Sequence, residues 1–237
     1  MKDIHNILFL DIETVPVYQS FDELPDRFQS LWIKKAKFLR GTDDRTPQEL
    51  YERAGIYAEF GKIVTIAVGY FVPQETEVLN FRIKAFANHD EKALLKDFSV
   101  LLNEHFNTKK VRLCAHNGKE FDFPYIGRRM LINQLPIPEP LNLSGKKPWE
   151  VPHIDTMELW KFGDYKHFTS LDLLAALFDV ESSKDDIDGS QVYKVYYQEN
   201  NLERIAKYCK RDVMVLAQVF MRLNQMPLMT KDEITIL

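Results

Sequence analysis

Acidic residues stand where a predicted hydrophobic strand ends. Asp11 and Glu13 lie two residues apart in the apolar segment 6–16, so we expect both side chains to project from the same face of that strand. Two like charges at the end of a buried strand are costly unless a cation offsets them. The alternative interpretation is a strand end at which both carboxylates reach water.

A third acid follows a second predicted strand. Asp122 comes after the strand 111–116 and the turn Asn117-Gly118, and a helix is predicted to begin near Phe123. An aspartate there could simply cap the helix. A helix N-terminus beside strand ends is also a place where an anion-binding or catalytic site is built.

The fourth acid lies on the apolar side of a late helix. Over residues 202–223 the hydrophobic positions form one broad stripe at the helical period. Asp212 falls inside the edge of this stripe, and Tyr208 lies one turn before it. A carboxylate on a packed helical face needs a partner, which would be either a basic side chain or a metal ion.

Four carboxylates from distant parts of the chain suit two hard divalent cations, because such ions prefer carboxylate and water oxygens. Two ions about 3.5–4 Å apart can activate a water and stabilise the leaving oxygen in a phosphoryl displacement. The chain carries a formal net charge of −4, which excludes a strongly basic, non-specific duplex binder. Two Mg²⁺ ions would cancel that charge, so phosphate could be attracted once the site is loaded.

Three motifs in this order resemble the DEDD superfamily of 3′–5′ exonucleases. They are Phe9-Leu-Asp-Ile-Glu-Thr14, Asn117-Gly-Lys-Glu-Phe-Asp122 and Tyr208-Cys-Lys-Arg-Asp212. Within the superfamily the sequence is similar to stand-alone exonucleases related to the proofreading domain of family-B DNA polymerases. The histidine-type subclass has its histidine five residues before the last aspartate, where this chain has Lys207, so the tyrosine-type subclass is the better match.

The resemblance implies a role for each motif residue. Tyr208 would orient the attacking water rather than remove its proton, because a phenol has a reference pKa near 10. The backbone of Ile12 and Thr14 would lie near the terminal 3′-hydroxyl group. Asn117 and Phe121 would lie near the last nucleotides, although core packing is an equally good interpretation of Phe121. The two cations, Mg²⁺ or Mn²⁺, would be held by the four acids Asp11, Glu13, Asp122 and Asp212.

The predicted function is therefore a two-metal-ion-dependent 3′–5′ exonuclease that releases nucleoside 5′-monophosphates from single-stranded nucleic acid, with DNA favoured. The alternatives are a non-catalytic nucleic-acid or protein-binding module on the same fold, and an endonuclease. No motif distinguishes DNA from RNA, since none marks a contact to a 2′-hydroxyl group. Replication or repair proteins are the expected class of protein partner, and the sequence identifies none of them.

The same resemblance implies an α/β fold: an RNase H-like mixed sheet of five strands flanked by helices. We predict a single domain over residues 1–237, because no linker or composition break divides the chain. A helical insertion over about 17–60 would follow the first strand, and a proline-rich connection would cover about 136–152. The remaining predictions are helices at 23–39, 47–57, 89–106, 170–178, 190–199 and 202–223, a hairpin over 61–71 and 76–84, an edge strand at 153–159, and a loosely held tail after Pro227.

Surface and compartment predictions follow from composition. Cys114 and Cys209 both stand in apolar stretches, which indicates buried free thiols in a reducing cytoplasm. The longest apolar run near the start, Ile7 to Leu10, is too short to span a membrane, so no membrane association is expected. The basic and aromatic segment 32–40 could grip a single strand, although an ordinary amphipathic helix is favoured. Lys119, Arg128 and Arg129 flank the second motif and are either phosphate contacts or surface charges.

Overall fold

A six-stranded mixed sheet forms the centre of the computed structural model, which describes residues 4–39, 44–72, 80–106, 110–164, 168–183 and 186–237. The strand order is β5-β4-β1-β2-β3-β6. β1, β2 and β3 form an antiparallel meander, while β4 lies parallel to β1, β5 parallel to β4, and β6 parallel to β3. The strands are β1 (Ile7–Pro16), β2 (Gly61–Val72), β3 (Asn80–Ala87), β4 (Arg112–Ala115), β5 (Ile154–Asp155) and β6 (Ile234–Ile236).

The sixth strand corrects two predictions, the five-stranded sheet and the loosely held tail. β6 pairs with β3 in the register Phe81–Ile234, and the backbone N–H of Leu237 donates to the carbonyl of Ile83 at 2.8 Å. Three residues are too few to show a strand periodicity. Their pairing depends on the free edge of β3, which is distant in the sequence. Residues 76–79 of the predicted hairpin lie outside the described residues.

Helices cover both faces of the sheet. Leu8 and Leu10 point toward α2 and α3, whereas Phe9 points to the opposite face and meets Phe220 of α7 at 5.2 Å between ring centroids. This alternation follows from the two-residue period of a strand buried on both sides. The helices are α1 (Asp26–Leu39), α2 (Glu91–His105), α3 (Asp122–Ile132), α4 (Thr156–Lys161), α5 (Leu171–Leu177), α6 (Val192–Tyr197) and α7 (Leu202–Leu223).

The longest helix, α7, has the predicted bounds. The side chain of Asn201 caps its first turn by accepting from the N–H of Arg204 at 3.0 Å. Its apolar stripe packs on the sheet, and Asp212 stands at the edge of that stripe. The period of the stripe therefore fixes which side of α7 faces β1.

The described part of the insertion after β1 contains the α-helix α1 and two short 3₁₀ helices, Phe21–Glu23 and Tyr51–Ile56. The predicted helix at 47–57 is wrong in type. Thr46 and Glu49 do form the predicted reciprocal cap, with Thr46 N–H donating to the Glu49 carboxylate at 2.6 Å, but a turn and 3₁₀ helix follow it. Trp32 is fully buried and donates to the carbonyl of Pro47 at 2.7 Å, which favours the amphipathic-helix interpretation of segment 32–40. Arg40 lies outside the described residues.

The predicted edge strand at 153–159 is also wrong beyond its first residues. β5 ends at Asp155, whose carboxylate accepts from the N–H of Met157 at 3.0 Å and from that of Glu158 at 3.4 Å. These bonds cap α4, so the chain turns into a helix where the apolar residues suggested a continuing strand. The proline-rich connection before β5 contains only the short 3₁₀ helices Glu139–Leu141 and Pro148–Glu150.

A buried ion pair fixes α3 relative to α2. The guanidinium of Arg129 donates to both carboxylate oxygens of Glu91, at 2.9 and 2.6 Å, and to the carbonyl of Ala58 at 2.8 Å. Arg129 is therefore not a phosphate contact or a surface charge, and Lys119 pairs with Glu158 at 2.7 Å. No helix in the described ranges is both long and apolar enough to cross a bilayer.

Candidate active site

β1 carries the first two acids past the point where its neighbour β4 stops. Asp11 lies opposite Ala67 and Glu13 opposite Thr65 in the antiparallel pairing with β2, and a register shift follows Glu13. β4 pairs with β1 only through the Ile7–Phe9 segment, so the end of β1 is open on that side to residues from α3. Asp11 is half-buried and Glu13 is 8% exposed.

Asp122 enters this opening as the first residue of α3. The residue in the N-cap position is Phe121, so Asp122 does not cap the helix as the alternative interpretation supposed. Its side chain is 3% exposed, and its Oδ1 atom has no hydrogen-bond partner in the described residues. The backbone N–H of Ile12 hydrogen-bonds to the carboxyl group, which holds Asp122 against β1.

α7 brings the side chains of Tyr208, Cys209 and Asp212 to this end of β1 from the opposite face of the sheet. The hydroxyl groups of Tyr208 and Ser183 both hydrogen-bond to the carboxylate of Asp212. The thiol of Cys209 donates to Asp11 Oδ2 at 3.3 Å and lies 3.4 Å from the Asp11 carbonyl oxygen. α7 therefore orients the carboxylates of both Asp212 and Asp11.

Mutual repulsion and burial disfavour the charged forms of the acids. Burial, and then the neighbouring charges of Asp212 and Asp122, raise the pKa values of Asp11 and Glu13 well above the ordinary range. Burial raises the pKa of Asp122 to about 7, although the N–H of Ile12 lowers it in part. All four predicted acids therefore act on one another electrostatically, as a shared site requires.

The phenol of Tyr208 lies against this negative charge. Tyr208 is 7% exposed and packs with Val15 and Ile205. Burial, and then the carboxylates of Asp212 and Glu13, raise its pKa above that of a free phenol. The hydroxyl group therefore keeps its proton at neutral pH and acts as a hydrogen-bond donor or a positioning group.

The donor set fits divalent cations. Within the described ranges, none of Asp11, Glu13 and Asp122 is paired with a basic side chain, so no protein cation offsets their charge. Asp11, Glu13 and Cys209 offer ligand atoms that all lie within 4.8 Å of one another. The unpartnered Asp122 Oδ1 adds a further oxygen donor, the type that Mg²⁺ and Mn²⁺ prefer.

A cleft of about 470 Å³ adjoins Glu13. Three of the four predicted substrate contacts line it: Ile12, Thr14 and Phe121. The insertion forms another part of its wall through Glu52, Arg53, Gly55 and Ile56, and the region of α6 contributes Gly189, Ser190 and Tyr193. Phe121 is half-buried against Tyr125, at 5.3 Å between ring centroids, so it both packs on the core and borders the cleft.

Asn117, the fourth predicted contact, does not line this cleft. It has a φ of 62°, and its N–H donates to Asp155 Oδ1 at 2.9 Å. The other oxygen of Asp155 accepts from the N–H of Lys119 at 3.1 Å. Asp155 is therefore a buried anchor of the loop that leads into α3.

Sequence reasoning missed three residues of this region. In the sequence Asp155 is only a further acid near a predicted strand end, and Ser183 carries no signal. Cys209 is a buried free thiol as predicted, but its contact with Asp11 is not foreseen. Each contact depends on how distant elements pack. A hydrophilic residue at a strand end that precedes a helix could have directed attention to Asp155.

The sequence matches the RNase H superfamily (RNase_H_2) over residues 51–224. This chain belongs to the RNase H superfamily. The matched part of this RNase H superfamily protein contains Asp122 and Asp212, while Asp11 and Glu13 precede it. Superfamily membership supports nuclease chemistry with divalent metals in broad terms.

A solved structure with the same fold is that of the family B DNA polymerase from the hyperthermophilic archaeon Pyrobaculum calidifontis. The TM-score is 0.55 and the identity is 16%, over 91% of this chain and 24% of the polymerase. The chain thus spans about a quarter of the polymerase's length. Among curated proteins there is no significant match. Together the comparisons confirm the predicted resemblance at the level of superfamily and fold.

Proposed function

We propose that this protein is a tyrosine-type DEDD exonuclease. It would depend on two divalent cations, Mg²⁺ or Mn²⁺, and remove nucleoside 5′-monophosphates from the 3′ end of single-stranded nucleic acid, with DNA favoured. The observation that carries the proposal is the convergence of Asp11, Glu13 and Asp122 against the side of α7 that bears Asp212. These three acids are buried or half-buried, and none of them has a basic partner in the part of the chain that the structure describes. Such a cluster is unfavourable unless cations occupy it.

Each acid has a distinct position from which to hold a cation. Asp11 and Glu13 come from β1, Asp122 from the start of α3, and Asp212 from α7. When bound, two divalent cations lower the pKa of a water and stabilise negative charge on the leaving oxygen. The hydrogen bonds from Cys209 to Asp11 and from Ser183 to Asp212 limit the rotation of these carboxylates. Fixed ligands reduce the reorganisation needed during the reaction.

Tyr208 would position the attacking water. Its hydroxyl group already hydrogen-bonds to Asp212, and its raised pKa keeps the proton on the phenol oxygen. A protonated phenol can donate to one oxygen and accept from water, which orients the water without removing its proton. Loss of this hydroxyl group should therefore slow turnover more than it weakens metal binding.

The cleft beside Glu13 is large enough for one terminal nucleotide. Its volume of about 470 Å³ falls in the range of small-molecule sites, roughly 300–1,000 Å³. Ile56 and Tyr193 provide apolar and aromatic surface for a base, and Thr14 provides a polar group near Glu13. A terminal nucleotide in this cleft would have its phosphodiester bond beside the carboxylates.

The decisive experiment is digestion of a single-stranded DNA labelled at its 5′ end. In Mg²⁺ or Mn²⁺ we expect a ladder of products shortened stepwise from the 3′ end, and no products in a chelator. Asp11→Asn should remove the activity, whereas Asp97→Asn, at an exposed position on α2, should retain it. A labelled strand that keeps its full length under all metal conditions would reject the nuclease proposal and favour a non-catalytic binding module.

Two further substrates test the finer parts of the proposal. Oligonucleotides of the same sequence in DNA and RNA form, labelled at either end, report both polarity and sugar preference. Faster loss of the 3′ label than of the 5′ label on DNA is expected. Products from a circular single strand would contradict exonuclease action, because such a substrate has no end.

A further inference from the structure

A thiol lies inside the carboxylate cluster. Cys209 is fully buried, and its Sγ atom donates to Asp11 Oδ2 at 3.3 Å. Asp11, Glu13 and Cys209 each offer a ligand atom within 4.8 Å of the others. Hard Mg²⁺ has little affinity for sulfur, so the mechanism described above does not use the thiol as a ligand.

We propose that Asp11, Glu13 and Cys209 form a binding site for a thiophilic divalent cation, Zn²⁺ or its analogue Cd²⁺. This inference rests on the proposed function to the extent that the same two carboxylates hold the catalytic cations. A thiophilic ion bound there would exclude Mg²⁺ from Asp11 and Glu13 and inhibit the nuclease. Thiolate ligands select zinc-like ions over magnesium-like ions, so one side chain changes the metal preference of the site.

The geometry is close to what such an ion needs. Zinc bonds to sulfur at about 2.3 Å and to carboxylate oxygen at about 2.0–2.2 Å, which puts tetrahedral ligand atoms roughly 3.5 Å apart. The Cys209 Sγ to Asp11 Oδ2 distance of 3.3 Å already matches that spacing. The remaining contacts lie within 4.8 Å, so a modest rotation of the Glu13 side chain would complete three ligands.

A second observation independently indicates a cation at this place. Asp122 is 3% exposed, and its Oδ1 atom has no hydrogen-bond partner among the residues that the structure describes. Its carboxyl group accepts a hydrogen bond from the backbone N–H of Ile12, the residue between Asp11 and Glu13, so Asp122 lies beside the part of β1 that carries both acids. The ligand atoms within 4.8 Å of one another belong to Asp11, Glu13 and Cys209, and Asp122 adds a carboxylate oxygen beside β1 that has no partner in the described part of the chain.

The test is a titration of the metal-free protein with Cd²⁺, followed by the ultraviolet absorption band of a cadmium–thiolate bond. The chain has two cysteines, and Cys114 is buried in β4, so Cys114→Ser supplies a matched background. We expect one Cd²⁺ per chain and a full band in wild type and in Cys114→Ser. In Cys209→Ser the band should be absent, and calorimetry should show Cd²⁺ affinity reduced at least roughly ten-fold.

A second variant tests the site without altering the cysteine. Glu13→Gln keeps the size of the side chain but removes a charged ligand, so the cadmium–thiolate band should require at least roughly ten-fold more Cd²⁺. No band in wild type, or a full band in Cys209→Ser, would overturn the proposal. These measurements need no substrate. Either of those two results rejects the thiophilic site alone, whereas absence of Mg²⁺-dependent digestion rejects the proposed function alone.

Discussion

Replacing Asp122 by asparagine is expected to stabilise the metal-free protein at neutral and alkaline pH. Asp122 is buried, and burial raises the pKa of its carboxyl group from 3.8 to about 7. At pH values between 3.8 and about 7, Asp122 has lost its proton in the unfolded chain but keeps it in the native protein. The native state then binds more protons than the unfolded state, so the free energy of unfolding falls as pH rises through this window.

The size of the effect follows from the same shift. The difference between 3.8 and about 7 is about three pKa units. At pH values above 7 it corresponds to a loss of at most about 4 kcal/mol from the free energy of unfolding of the metal-free protein. Asparagine has nearly the same shape and no charge, so it avoids this loss. Its advantage over wild type should therefore grow by up to about 3 kcal/mol between about pH 5 and about pH 8.

The assay is urea unfolding in the presence of a chelator at several pH values. Asp97→Asn is the control, because this acid is exposed on α2 and lies outside the carboxylate cluster. Its effect should stay within about 0.5 kcal/mol at every pH. Added Mg²⁺ should stabilise wild type more than Asp122→Asn, since a ligand that binds only the native state raises its stability.

Two results would refute this reasoning. The first is an Asp122→Asn advantage that is the same at both ends of the pH range. The second is a variant that is less stable than wild type at alkaline pH in a chelator. Either result would mean that the carboxylate is not destabilising in the native state, and the argument for a cation beside Asp122 would lose its main support.

Three further perturbations test other parts of the structure. Tyr208→Phe should lower turnover by about 10- to 100-fold and leave Mg²⁺ affinity nearly unchanged, whereas Asp212→Asn should lower both. Calorimetry measures the Mg²⁺ affinity, and single-turnover digestion measures the rate. Arg129→Met leaves the carboxylate of Glu91 buried without its charged partner and should cost about 3–5 kcal/mol in urea unfolding. Asp155→Ala removes the acceptor of two loop N–H groups and a helix cap, so thermal unfolding should show a loss of about 2–4 kcal/mol.

Elements with a long, regular hydrophobic period were predictable from the sequence. α7 has the predicted bounds because it begins after a clear cap at Asn201 and its apolar stripe continues for 22 residues. β1 was predictable because it is buried on both faces and reads as a continuous apolar run. These two elements carry most of the predicted site, which explains why Asp11, Glu13 and Asp212 could be predicted from the sequence.

Predictions of short elements failed because single hydrogen bonds or pairing with a distant strand, rather than a hydrophobic period, decide these elements. The segment after His153 has strand-like apolar residues, yet the carboxylate of Asp155 satisfies two N–H groups and starts a helix. β6 exists because β3 offers a free edge, a fact that no local pattern records. The contact between Cys209 and Asp11 depends on where α7 crosses β1, 198 residues away in the sequence.

The architecture itself restricts where such a site can form. Asp11 and Glu13 lie on the face of β1 that α7 covers, while α3, which carries Asp122, packs on the opposite face with Ile12. Side chains from the two layers can meet only where the sheet between them stops. β4 ends at Ala115, well before β1 does, and Asp122 enters through this gap to reach the N–H of Ile12. A longer β4 would separate the two sets of carboxylates, so the short strand is as necessary to the site as the acids are.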